Sequence, residues 1–249
     1  MPRCHYLHET VRLARNAASR DYMAAVLEFG TPSLSSNDDD AGSARPDMPG
    51  GVRLLGTFYT AAATGPWPEV VNVWECPGGV MGAWRSMLGI YHGLRPEIFW
   101  SSMEDVRLGG DGIAFGAAAG CPTIDELVAG GVTARLVVQH LATVRPGAAA
   151  DYVAAIRDEW LPIVADYRHE LVGLYAGTYR HDQVCLLLAT DEDARVTMQA
   201  AADAASGFDE VVPADARIPA WWDRARGFLA ADWHEELLIP YPGTPIAAP

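Results

Sequence analysis

The sequence predicts an α+β protein made of one β-α-β-β-α-β unit present twice in tandem. Two observations carry this. A stretch of the first half recurs in the second at a fixed offset: Arg15, Asp21, Tyr22, Ala24 and Ala25 return as Arg145, Asp151, Tyr152, Ala154 and Ala155, always 130 positions on, with Val26 opposite Ile156. The flanks of both stretches also carry the same succession of strand and helix patterns.

Upstream, 6–14 and 136–144 are rich in branched and aromatic residues and read as strands. Downstream, each copy has a helix. In the second, Tyr152, Ile156, Trp160, Ile163 and Tyr167 recur every three to four residues, with Pro162 placed to kink or end it. Two more strands follow in each copy, 52–61 with 69–76 and 170–179 with 183–189. Turn residues join them at 62–68 and 180–182. A second helix is expected at 80–92, and another after Thr190-Asp-Glu-Asp193, a capping sequence. A helix over 214–231 and a strand over 235–239 complete the second unit, and 114–131 reads as the connection between units. The units are therefore 1–131 and 132–249, with a mobile, low-complexity insertion at 31–51 in the first. Each sheet would have helices on one face and need a cover on the other, which the second copy can supply.

The 249 residues carry a formal net charge of −14, and half of them are hydrophobic. Such acidity disfavours nucleic acid and anionic membrane surfaces as partners. No apolar run reaches the roughly 18–20 residues of a membrane span. All basic residues are arginine. Without lysine there is no Schiff-base chemistry and no phosphate-binding P-loop. Cys4, Cys76, Cys121 and Cys185 form no C-x-x-C pair, and no leader is recognisable, so free thiols and a cytoplasmic location are expected. No histidine spacing suits a metal site, and Gly109-Gly-Asp-Gly112 fits no dinucleotide fingerprint, so no cofactor is expected.

The strand Glu69-Val-Val-Asn-Val-Trp-Glu75, a short turn and a helix with Trp84-Arg85 resemble the central pattern of the NIPSNAP family. Glu236-Leu-Leu-Ile-Pro240 with its proline-rich tail is similar to that family's closing strand. The Pro77-Gly78-Gly79 turn departs from the family's acidic turn. The wider resemblance, over nearly the whole chain, is to the dimeric α+β barrel superfamily. It implies two ferredoxin-like units closed into a barrel as a pseudo-dimer within one chain. Members include cofactor-free monooxygenases, polyketide cyclases, lactone isomerases, haem enzymes and proteins without known activity, so the fold does not select a chemistry.

Strand alternation places Leu7, Glu9, Val11 and Leu13 on one face and Tyr6, His8, Thr10 and Arg12 on the other. The first set should pack on helices, leaving His8 and Arg12 for the barrel. The matching set of the second copy is Leu136, Val138, His140 and Ala142, which puts His140 on the barrel face too. Either histidine is a candidate acid or base. Asn72 and Tyr59 are candidate oxyanion donors. Trp74, Trp84 and Tyr175 are candidate aromatic contacts, and Arg12 and Arg85 candidate anion contacts, for substrate. The expectation is a cofactor-free enzyme of natural-product biosynthesis. It would process a hydrophobic or aromatic small molecule by acid/base cyclisation, isomerisation or elimination (a lyase), with one principal site on the first copy's sheet. A cofactor-independent monooxygenase, a haem protein ligated through a barrel histidine, and a non-catalytic NIPSNAP-like binding protein are the alternatives. A homodimer is compatible with all of them.

Overall fold

The computed structural model describes residues 4–16, 18–30, 52–61, 64–76, 79, 81, 103, 105–209 and 211–248. The insertion at 31–51, Trp84, Arg85 and most of the helix expected at 80–92 lie outside the described residues.

The first half contains β1 (His5–Leu13), α1 (Ala18–Gly30), β2 (Arg53–Thr60), β3 (Glu69–Cys76) and β4 (Arg107–Ala117). A short α2 (Ile124–Ala129) follows, closed by a capping box in which Thr123 and Glu126 satisfy each other's backbone amides. The second half contains β5 (Leu136–Thr143), α3 (Ala149–Ala155), a π-helical turn (Ile156–Trp160), α4 (Leu161–Ala165), β6 (Glu170–Gly177), β7 (Gln183–Thr190), α5 (Glu192–Ala205), α6 (Arg217–Arg226) and β8 (Glu236–Pro240). Pro162 neither ends nor breaks the helical run. The preceding turn widens so that Leu161 N–H donates to the Ile156 carbonyl, and the proline enters at the start of α4, where a missing N–H costs least.

The eight strands of the described residues form one closed antiparallel barrel in the order β1-β3-β2-β8-β5-β7-β6-β4. Each half contributes its four strands in the same spatial order, fourth-first-third-second. Alone, each half would expose two sheet edges. Here β2 pairs with β8 through Phe58–Thr60, and β4 pairs with β6 through Phe115–Ala117, so neither edge remains. Each half also bends its second strand at one place. Register shifts lie between Leu54 and Gly56 and between Leu171 and Gly173. In both, the aromatic ring two residues on, Phe58 or Tyr175, lies where a Cβ on that glycine would be.

β4 corrects the expected boundary. Residues 114–117 are strand, and the link between halves starts after them. The glycines that hid this strand have a role: a Cβ on Gly110 would sit 2.2 Å from the Thr10 carbonyl oxygen of β1.

Three apolar layers result. The barrel interior holds Tyr6, Phe58, Val71, Val73, Phe115, Tyr175 and Leu187, and Ile124, Leu127 and Ile246 plug one end. A second layer lies between the first-half sheet and α1, with Val11, Leu13, Tyr22, Val70 and Trp74. A third and larger layer lies under the second-half helices, with Val138, Tyr152, Trp160, Leu186, Leu188 and Trp221. No helix among the described residues is long and apolar enough to cross a membrane.

Candidate functional site

The two strand histidines occupy different layers. His8 faces the barrel interior, 1 % exposed, as its alternation with Tyr6 predicts. Its Nε2 lies 2.7 Å from Gln139 Oε1, and Gln139 Nε2 donates to Glu236 Oε2 at 2.9 Å. A carbonyl oxygen only accepts, so His8 Nε2 carries the proton and donates it to Gln139. Burial pushes His8 below the ordinary histidine range.

His140 is not on the barrel face. It points under the second-half helices, 2 % exposed, stacked on Trp233 at 3.9 Å between centroids. Its Nδ1 donates to the His234 carbonyl at 2.6 Å, so its Nε2 accepts from the Tyr152 hydroxyl at 2.7 Å. Burial pushes its pKa down to about 4. Both nitrogens are engaged and the ring is neutral at pH 7.

The reason for the misplacement is one residue of register. The bulge glycines Gly56 and Gly173 pair with Val73 and Leu187, which pair with His8 and Gln139. The ladder therefore matches His8 to Gln139, an offset of 131, whereas the helix repeat matches Tyr22 to Tyr152, an offset of 130. A shift of one reverses every side chain of a strand. Glu9, not Thr10, is the ladder counterpart of His140.

Neither histidine suits a haem iron. His8 holds its Nε2 proton against Gln139, and His140 has a partner on each nitrogen.

The remaining candidates divide between layers. Tyr175 is buried in the barrel, its ring tilted on Tyr6 at 4.4 Å. Arg12 lies exposed at one barrel mouth, opposite Glu69 in the ladder. Tyr59 sits half-buried beside the layer under α1. Its hydroxyl donates to Asn16 Oδ1 at 2.6 Å and accepts from the Trp67 indole.

Asn72 and Trp74 are buried on the first-half sheet, facing α1. There they join Glu9, from the strand face expected to pack on helices, together with Thr57 and Tyr22. Thr57 Oγ1 donates to Asn72 Oδ1 at 2.7 Å, and Asn72 Nδ2 donates to the Tyr22 hydroxyl at 3.1 Å. Trp74 Nε1 donates to Glu9 Oε2 at 2.8 Å. Glu9 and Asn72 are direct cross-strand neighbours. The Tyr22 pKa is raised, by burial first and by the charge of Glu9, against opposing contributions from Arg107 and Asn72.

One layer thus brings together a carboxylate, a phenol, an amide, a hydroxyl and an indole. The same ladder positions of the second half, matched through the bulge glycines, are His140, Leu174, Leu186 and Leu188. The three leucines pack against the apolar layer that holds the stacked Trp160 and Trp221, 5.5 Å apart, and His140 is paired with Tyr152. Apolar packing is the default for such a layer, so a carboxylate, an amide and a hydroxyl where the other half has a histidine and two leucines need a reason.

Glu9 was overlooked because its face is otherwise apolar. A carboxylate between Leu7 and Val11 was the available signal. Tyr22 appeared only as a repeat marker, since Tyr152 matches it.

No protein-family model and no curated protein matches the chain. Solved structures do. An anthrone oxidase-like protein overlays with a TM-score of 0.63 at 11% identity, covering 99% of this chain and 97% of its own. A candidate monooxygenase from Lactobacillus acidophilus overlays with a TM-score of 0.56 at 9% identity, covering 96% and 94%. These likenesses show the fold alone, mixed α+β with an antiparallel sheet. A NIPSNAP domain protein from Burkholderia xenovorans covers 43% of this chain and 96% of its own at 21% identity, with a TM-score of 0.33, an overlay too loose to argue from.

Proposed function

We propose that the layer between the first-half sheet and α1 is an active site that abstracts a proton from a hydrophobic, aromatic small molecule, without a cofactor. Glu9 is the proton acceptor. Its Oε2 is held by the Trp74 indole, which leaves Oε1 to take the proton. Asn72 and Tyr22 hold the oxyanion that forms as the substrate loses its proton, and Trp74 supplies an aromatic face. The observation that carries this reading is the cross-strand set of Glu9, Thr57, Asn72 and Trp74, at ladder positions where the other half has a histidine and three leucines. We read the halves as fused copies of one unit, of which the second became a support.

The anion can rearrange, giving cyclisation, isomerisation or elimination, or it can react with dioxygen. The overlays with an anthrone oxidase-like protein and a candidate monooxygenase favour the second course. Anthrone is a suitable probe, because its methylene proton is acidic and its oxidation balances: anthrone plus O2 gives anthraquinone plus water. In D2O, the protein should accelerate exchange of that methylene proton, followed by NMR, and Glu9→Gln should remove the acceleration. Oxygen uptake with quinone formation identifies an oxygenase, and exchange without uptake an acid/base enzyme. If the protein neither binds the probe nor speeds its exchange, the assignment to aromatic substrates fails.

A further inference from the structure

A second polar site lies at the barrel mouth, in a different layer from the proposed active site. Glu69, the first residue of β3, alternates with Val71 and Val73 and so faces the interior. It is 3 % exposed, yet among the described residues no hydrogen bond or ion pair reaches its carboxylate. Arg12 is its ladder neighbour but is exposed to solvent. On the next strand, Thr60 shares the interior face with Phe58, is 0 % exposed, and its Oγ1 also has no partner. Glu236 of β8 completes the group. Its Oε2 is held by Gln139, while its carboxyl carbon and Oε1 lie, like Thr60 Cγ2, about the point where a Cβ on Gly65 would be. His234 Nε2 is 3.5 Å from that Oε1.

A buried hydroxyl without a partner is costly and calls for an explanation, and so does a carboxylate held at a nearly closed barrel mouth with no hydrogen-bond donor. These groups share a chemistry. Two carboxylates and a hydroxyl offer acceptors, and the exposed Arg12 acts on Glu69 through its charge without hydrogen-bonding it. The missing partner is a compact donor of several N–H bonds. Among the described residues no three acidic, thiol or imidazole groups gather to hold a metal ion, which argues against a divalent cation. We infer that the barrel mouth binds a primary ammonium group, with Glu69, Glu236 and Thr60 as its three acceptors. The chain Glu236–Gln139–His8 runs from this site into the barrel centre and fixes the orientation of Glu236.

Methylammonium chloride is the probe, and tetramethylammonium chloride, which has the charge but no N–H, is the control at equal ionic strength. Calorimetric titration of the full chain should give saturable binding of methylammonium only, with a matching rise in Tm. A charge-assisted hydrogen bond contributes enough that Glu69→Gln should weaken binding by about tenfold or more. Thr60→Val, close to isosteric, should weaken it by about threefold, the loss of a neutral acceptor. Circular dichroism establishes that both variants fold. Equal effects of the two salts, or unchanged methylammonium binding by folded Glu69→Gln, overturn the inference and leave ordinary water as the occupant.

Discussion

Replacing Asn72 and Thr57 by apolar residues like those of the second half separates their structural value from their chemical value. Asn72→Leu alone strands the Thr57 hydroxyl, which is 0 % exposed and donates only to Asn72, and removes one donor from Tyr22. A buried hydroxyl left without its partner costs about 1–3 kcal/mol, offset in part by burying leucine, so a net loss of about 1–2 kcal/mol is expected. Adding Thr57→Val removes the stranded hydroxyl. The pair is then gone from both sides, and such paired removal is close to neutral. The double variant should regain about 1 kcal/mol over Asn72→Leu, or about 2–4 °C in Tm for a chain of this size. It should nevertheless show no acceleration of anthrone exchange. Urea unfolding of wild type, both single variants and the double variant measures the coupling, and NMR measures exchange. If the double variant exchanges anthrone at the wild-type rate, Asn72 is not part of the site. If the two substitutions are simply additive in stability, the hydrogen bond between them does not exist in solution.

Further expectations concern the histidines, pH and the barrel plug. His8→Gln and His140→Leu should both leave proton exchange intact, while His140→Leu, by stranding Tyr152, should lower stability by about 1–3 kcal/mol, read by urea unfolding. The folded pKa of His140 is depressed from 6.5 to about 4. Its contribution is therefore present above pH 6.5 and is lost as pH falls toward 4, to a limit of about 3 kcal/mol. Wild type should lose more stability across that range than His140→Leu, and parallel pH profiles would contradict the buried neutral ring. At the plugged end, Arg53 bridges the buried Glu75 at 2.7 Å and the exposed Asp125 at 2.6 Å. Arg53→Met leaves the buried Glu75 carboxylate without its cation, with only long contacts from Cys4 and the Ile124 amide, and should cost about 3 kcal/mol, whereas Asp125→Ala should leave stability close to that of the wild type, both by urea unfolding.

Strand positions were legible because alternation is a short-range signal. β3 matches its expected limits, 69–76, and β1 is offset by one residue from 6–14. What failed needed information from elsewhere in the chain. β4 is rich in glycine because strand β1 approaches it closely, and composition alone reads such a segment as loop. The face of His140 depended on whether strand and helix kept one offset, and they differ by one residue. Asn72 and Trp74 were legible as a polar and aromatic pair on one strand face. Their partners Glu9, Thr57 and Tyr22 come from two other strands and a helix, and only folding brings them together.

The most direct test of the central claim is a crystal structure of the protein with an aromatic ligand such as anthraquinone. The ligand is predicted to lie between the first-half sheet and α1, with its oxygen within hydrogen-bonding distance of Asn72 or Tyr22 and its ring against Trp74. A ligand seated instead beneath the second-half helices, among Trp160, Trp221 and Trp233, would contradict the assignment of the site to the first half.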